Sequence, residues 1–233
     1  MTPHSLLSTH HGFFITGTDT GVGKTMVACA LLHAFAAQVK SVVGMKPVTA
    51  GCEETPQGLR NNDVEQLIAA STIKAPRHMV NPYALIPPIA PHIAAQQAGI
   101  EIKLAVIKTA FEQLKKTAEV VVVEGVGGFK VPLNSRQDSA DLANLLGLPV
   151  ILVVGMRLGC LNHALLTSGA IADSGLKLAG WVANCIDPHM AVLQENLRTL
   201  VERLGRPPLA VFAFQHDLRP KELARELDIQ SLM

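Results

Sequence analysis

The chain has 233 residues, of which 48% are apolar and 17% charged, and its formal net charge is +1. That length suits one α/β domain with a core of ordinary size, and near-neutral charge with a single Trp and a single Tyr argues against a nucleic-acid surface built on basic patches and base stacking. Cys29, Cys52, Cys160 and Cys185 make no C-x-x-C pair, which gives no sign of a zinc site or redox dithiol and fits a reduced, cytoplasmic setting, and no apolar run is long enough to span a membrane.

Residues 1–11 read as a flexible leader in which His10 and His11 are solvated, and residues 12–233 as a single domain without repeats or linkers. Residues 13–16 are a short β-type run, and helical spacing of apolar residues begins at Met26 and continues to about residue 39. The segment G-T-D-T-G-V-G-K-T at residues 17–25 therefore occupies a strand-to-helix turn. Such a turn points successive backbone N–H groups inward and adds the positive end of a helix, which is what a polyphosphate needs. Lys24 is placed to reach the outer phosphates, and Thr25 to offer its hydroxyl to Mg²⁺. The usual spacing would put glycine at position 18, where this chain has Thr18. A glycine-rich turn that only lets strand meet helix is the bland alternative.

Residues 41–45 form a second strand, ending at Lys46-Pro47-Val48. A lysine at the carboxyl end of a strand in an open parallel sheet stands where such sheets bind ligands, although lysines at strand ends are ordinarily solvated. Residues 49–62 read as a long loop delivering Asp63, either as helix cap or as cation ligand. The stretch 81–91, with Pro82, Pro87, Pro88 and Pro91, is too proline-rich for a regular element, and Pro91 starts a helix through Gln97. Residues 102–117 are amphipathic, with Leu104, Ile107, Phe111 and Leu114 on one face.

Residues 120–123 are four valines, the mark of a central strand buried on both faces, and the strand ends on Glu124. A carboxylate there needs a compensating cation, either Mg²⁺ opposite the phosphate loop or a structural ion pair. Gly125, Val126 and Gly127 follow and let backbone approach a ligand. A short helix at 141–146, a buried strand at 149–154 and a helix through Ile171 come next, with Gly159 opening that last helix to an anion such as a carboxylate. A strand at 178–184 ends on Asn184, which can read a base edge or simply make a turn. A helix at 191–204, a strand near 209–214 and a helix from Pro220 close the chain.

Taken together, G-T-D-T-G-V-G-K-T, M-K-P-V-T-A-G, L-R-N-N-D, N-P-Y, P-H-I-A-A, V-V-V-E-G-V-G-G, L-G-C-L-N-H-A-L-L-T and A-G-W-V-A-N closely resemble the dethiobiotin synthetase family, over about residues 13–184. The resemblance implies a single-domain α/β P-loop NTPase fold, a mostly parallel sheet with helices on both faces. It also implies closure of a cyclic urea from 7,8-diaminopelargonic acid, CO₂ (as bicarbonate) and ATP with Mg²⁺, through a carbamate and a carbamic-phosphoric mixed anhydride. By the same resemblance, Thr20, Gly21, Val22, Gly23, Lys24, Thr25 and Met26 hold the triphosphate, and Thr25, Asp63 and Glu124 carry Mg²⁺. Gly125, Val126 and Gly127 belong to a nucleotide-contacting turn, Asn184 reads adenine, and Phe212, Ala213 and Phe214 line the base pocket. Lys46 and Lys24 are the catalytic pair, and Thr20, Thr49 and Ala50 adjoin the reacting end of the diamine. Gly159, Cys160, Leu161 and Asn162 resemble the seat for the substrate carboxylate, near a homodimer interface.

Three positions depart from the family pattern: Gly21 where Glu is frequent, Ala50 where a hydroxyl residue is frequent, and Cys185 where Asp is frequent. Thr49 offers a hydroxyl beside Ala50. An alternative is a P-loop partitioning or placement ATPase, a switch acting with membranes or DNA-associated partners, but such proteins carry an early lysine in the loop where this chain has Asp19. An inactive nucleotide-binding scaffold would not need Lys24, Thr25, Lys46, Asp63 and Glu124 together.

Overall fold

The protein was analysed as a computed structural model, which describes residues 12–39, 41–215 and 219–232; the leader at 1–11, with His10 and His11, lies outside them. The first strand, β1 (Gly12–Gly17), is buried along its whole length, and its alternation sends Phe13 and Ile15 to one face of the sheet and Phe14 to the other. The phosphate-loop turn leads into α1 (Lys24–Ala36), which is covered on nearly every side and packs on β1. Next come β2 (Val42–Met45), β3 (Val48–Thr49), the hairpin strands β4 (Glu53–Thr55) and β5 (Gly58–Arg60), and α2 (Asn62–Ala70). A one-turn helix α3 (Arg77–Val80), a short strand β6 (Tyr83–Ala84), α4 (Pro91–Gln97), α5 (Leu104–Lys115) and β7 (Val120–Glu124) follow. The second half runs α6 (Ser139–Leu146), β8 (Val150–Met156), α7 (Cys160–Asp173), β9 (Leu178–Cys185), α8 (Leu193–Leu204), β10 (Ala210–Phe212) and α9 (Pro220–Leu223).

Six strands form one parallel sheet in the order β10-β9-β8-β1-β7-β2. One face packs against α1, α2 and α9; the other packs against α4, α5 and α6 on one half and α7 and α8 on the other. Because β7 and β8 flank β1, the phosphate loop opens from the middle of the sheet. The carboxyl ends of β1, β2 and β7 then bring Lys24, Lys46 and Glu124 to a single rim.

Four local expectations are settled differently or more narrowly by the structure. Residues 49–62 are not a featureless loop, since β4 and β5 form an antiparallel hairpin; its largely exposed Glu53-Glu54-Thr55 carries no apolar alternation that would reveal it. Residues 81–91 contain a strand after all, because Tyr83–Ala84 falls between the prolines and pairs in parallel with Val48–Thr49. The cap of α2 is Asn61, whose Oδ1 accepts from the Asp63 amide at 3.0 Å, so the Asp63 carboxylate is not spent on capping. The helix expected from residue 191 begins only at Leu193, because Val192 holds a left-handed φ of 50°.

Candidate active site

Gly21 and Gly23 supply the left-handed conformations that curl the phosphate loop, at φ 74° and 92°. A side chain at Gly23 would also drive its Cβ to 2.2 Å from the Asn184 amide nitrogen, so the loop is seated directly on the end of β9. At Gly21 the surroundings are open, and the departure from the family's frequent Glu removes a side chain without altering the packing. Thr18, in the place of the usual glycine, anchors the loop to β8: its amide donates to the Val153 carbonyl at 3.0 Å and its hydroxyl accepts from the Gly155 amide at 3.3 Å. Lys24 Nζ donates to the Asp19 carbonyl at 2.9 Å.

The loop forms one wall of a cavity of about 750 Å³. Thr20 lines it from the phosphate loop, Lys24 and Thr25 from the start of α1, Lys46 from the end of β2, Thr49 and Ala50 from the end of β3, Asp63 from α2, and Glu124, Val126 and Gly127 from the end of β7. Thr25 Oγ1 donates to Glu124 Oε1 at 2.8 Å, and Lys46 Nζ donates to Asp63 Oδ2 at 3.0 Å and also to Glu124 Oε1. Lys46 is thus not a solvated strand-end lysine; it is only 4% exposed. Glu124 is 1% exposed, and its Oε2 is buried with no hydrogen-bond partner.

The charges explain one another. Burial pushes the Lys46 ammonium toward the neutral form, but the Glu124 and Asp63 carboxylates outweigh it and hold its pKa above the ordinary 10.5. Burial likewise pushes Asp63 up, but the Lys46 charge, hydrogen bonds from Lys46 and Thr25, and the Lys24 charge hold its carboxyl below the ordinary 3.8. A raised lysine contributes stability that is lost as pH climbs through its folded value, and a depressed aspartate contributes stability that is lost as pH falls through its own. The contribution of Lys46 and Asp63 is therefore fully present between 3.8 and 10.5.

Lys24 behaves oppositely. Burial, followed by the nearby Lys46 charge, lowers its pKa to about 8. Its buried charge costs stability at neutral pH, and that cost is relieved as pH rises from about 8 toward 10.5. A polyphosphate would favour the ammonium, so nucleotide binding is expected to take up a proton and to weaken as pH rises through about 8. Isothermal titration in buffers of different ionisation enthalpy measures that uptake. Affinity and heat that stay flat between about pH 7 and about pH 9 would contradict it.

The chain supplies two carboxylates and a hydroxyl around one point, and among the described residues there is no cluster of three His, Cys, Asp or Glu that would hold a metal unaided. This donor set fits Mg²⁺, which prefers oxygen, uses one or two carboxylates and takes its other ligands from phosphate and water. The Glu124 carboxylate, with Oε2 buried and unpartnered, carries acceptor capacity that the protein's own donors do not fill, as an oxygen-ligated cation site would.

Other expected residues lie apart from this cavity. Asn184 Nδ2 donates to the Val22 carbonyl at 2.9 Å, and its Oδ1 is buried without a partner, so one acceptor is left beneath the loop. Val22 is buried against Gly17 and Gly155, and Met26 and Gly125 contribute backbone and packing behind the site. Phe212 faces the core and is fully buried, whereas Ala213 and Phe214 are exposed beyond β10. Gly159 caps α7, with Cys160 buried and Leu161 and Asn162 on its first turn; Arg157 in the preceding turn pairs with Asp19 of the phosphate loop at 2.6 Å.

Sequence reasoning missed two contributors. Pro88, Ile89, Ala90 and Pro91 also line the cavity, Pro91 being the first residue of the P-H-I-A-A segment. Asn81 is buried and donates to the Lys46 carbonyl at 2.7 Å, while the Lys46 amide donates to the Val80 carbonyl at 2.8 Å, so α3 clamps the backbone of Lys46 on both sides. Thr49, the hydroxyl beside Ala50, donates to Asn81 Oδ1 at 3.2 Å and is 2% exposed.

Comparison with known proteins agrees with this geometry. An AAA domain family model matches residues 11–222. The ATP-dependent dethiobiotin synthetase BioD of Nitrosospira multiformis is 59% identical over 94% of this chain and 95% of its own length. Those of Aromatoleum aromaticum and Pseudomonas paraeruginosa are 54% and 50% identical, over 92% and 94% of this chain and 96% and 97% of theirs. Among solved structures, a ParA family ATPase from Chlorobium tepidum has a TM-score of 0.55 at 13% identity, covering 89% of this chain and 85% of that one. The MinD cell division protein of Aquifex aeolicus has a TM-score of 0.55 at 14% identity, covering 88% and 83%. These two likenesses show the P-loop fold alone, while the curated relatives carry the assignment further. With a phosphate loop on β1, a lysine bridging two carboxylates at the same rim, and this degree of identity along nearly the whole chain, the protein belongs to the ATP-dependent dethiobiotin synthetase family.

Proposed function

We propose that the protein is an ATP-dependent cyclo-ligase that converts 7,8-diaminopelargonic acid and CO₂ to dethiobiotin, releasing ADP and phosphate. The observation that carries this reading is the meeting of Lys24, Lys46, Thr25, Asp63 and Glu124 on one cavity, in a chain 59% identical to a dethiobiotin synthetase.

In the first step one substrate amine adds to CO₂ and loses a proton to give a carbamate; in the second, a carbamate oxygen attacks the γ-phosphorus and ADP leaves. The other amine then attacks the carbamoyl carbon, phosphate departs, and the urea ring closes. The loop amides and Lys24 hold the polyphosphate in line, and Lys46, on the same rim, offsets charge on the transferring group. Thr25, Asp63 and Glu124 are the residues that would hold Mg²⁺. When bound, Mg²⁺ neutralises charge on the β- and γ-phosphate oxygens. Two ammonium groups on one cavity also lower the pKa of a substrate amine, favouring the unprotonated form that captures CO₂. The free acceptor of Asn184 suits an amino group on the base, which supports adenine as its partner.

The start of α7 is the proposed seat for the substrate carboxylate. Leu158, 96% exposed in the turn before α7, and Leu166, 66% exposed on α7, support a homodimer through this part of the surface. Four free, buried cysteines and the absence, among the described residues, of any helix able to cross a membrane support a cytoplasmic setting.

The test is purified protein with ATP, Mg²⁺, bicarbonate and the diamine, followed by phosphate release and product mass. Phosphate release is expected to require the diamine and to accompany a product of the cyclised mass. Diamine-independent hydrolysis stimulated by lipid or a partner protein would favour the partitioning-type switch.

A further inference from the structure

We infer that Lys46 is the resident counter-ion of the Asp63–Glu124 pair, so that a divalent cation enters only by displacing its ammonium into the cavity. This rests on the ligase reading for where the cation binds, and adds to it an order of events.

Lys46 Nζ bonds both carboxylates, and the Glu124 Oε1 it uses also accepts the Thr25 hydroxyl at 2.8 Å. Two donors fill the in-plane lone pairs of that oxygen, leaving only the buried Oε2 of Glu124 uncommitted. A magnesium ion sits at about 2.1 Å from its oxygen ligands. An ion that close to Glu124 Oε1 or Asp63 Oδ2 would lie against the ammonium, and with Lys46 and Glu124 almost wholly buried water screens the two like charges poorly.

One of the two cations has to leave, and Lys46 has the means. Its backbone is clamped by Val80 and Asn81, but the four-carbon stem pivots, and the side chain already lines the cavity. Lys24 does not take part in the same exchange, since it is held separately by the Asp19 carbonyl. Once the carboxylates are occupied by the metal–nucleotide complex, the freed ammonium faces the cavity, where an anionic group of the second substrate can receive it. Until then its charge is masked.

The exchange is tested with Mn²⁺ alone, by electron paramagnetic resonance of the nucleotide-free protein. Lys46→Met is expected to bind Mn²⁺ at least about tenfold more tightly than wild type, and Mn²⁺ should raise its unfolding temperature more than that of wild type. Adding Glu124→Gln to the same variant should abolish both gains. Equal or weaker Mn²⁺ binding by folded Lys46→Met overturns the inference. A second measurement needs no substitution: the Lys46 ammonium protons in wild type should exchange faster with Mg²⁺–ADP than with ADP alone. Protection that is the same in both overturns the inference too. Neither readout involves the diamine, so failure of the ligase assay and failure of the exchange are separate results.

Discussion

Replacing Lys46 by alanine is expected to reduce diamine-dependent phosphate release by about a thousandfold while nucleotide binding survives. The magnitude is that of removing one preorganised charge or donor from a transition state in which charge is spread over transferring oxygens. Binding survives because the polyphosphate is held elsewhere, by the loop amides and by Lys24, whose ammonium is anchored separately on the Asp19 carbonyl. Steady-state turnover and nucleotide titration on the same preparation measure the two effects. A parallel loss of nucleotide affinity would mean that Lys46 maintains the loop instead of meeting the reacting group.

Glu124→Ala is expected to carry the largest stability cost of any single change in the cavity, about 3 kcal/mol, because it leaves a nearly inaccessible ammonium with one remaining partner. For a domain of this size that corresponds to a fall in unfolding temperature of roughly 6–12 °C. Asp63→Ala should cost less, about 1 kcal/mol or under, since the Asp63 side chain is 40% exposed and water takes over part of its role. Thermal unfolding of the two variants side by side checks the order. Equal falls, or a larger one for Asp63→Ala, would show that burial of the Lys46–Glu124 pair contributes little.

Much of this architecture could be read from the residues because the relevant signals are local and strong. Four consecutive valines with no alternation require a strand covered on both sides, and a carboxylate immediately after them has to emerge at the sheet's end. Glycine, lysine and threonine between a strand and a helix specify a phosphate loop in the same way. The weaker parts are those whose partners are distant or whose pattern is polar. The Val48–Thr49 strand is defined only by its pairing with Tyr83–Ala84, and two residues leave no periodicity to detect. The clamp of Asn81 on Lys46 crosses 35 positions and sits in a proline-rich stretch, where nothing in the local pattern separates a structural amide from a turn residue. Asn184 could be placed at its strand end, but not the fact that its amide nitrogen is committed to the Val22 carbonyl and only its oxygen is left for a ligand.

The ion pair between Arg157 and Asp19 ties the turn ahead of α7 to the phosphate loop. Asp19 takes the guanidinium through its carboxylate and the Lys24 ammonium through its carbonyl, so the turn ahead of α7 and the grip on phosphate are mechanically in series. A change at Arg157 therefore also removes a partner from the residue whose carbonyl holds Lys24, although both side chains of the pair are about half exposed and water can take up part of the lost contact.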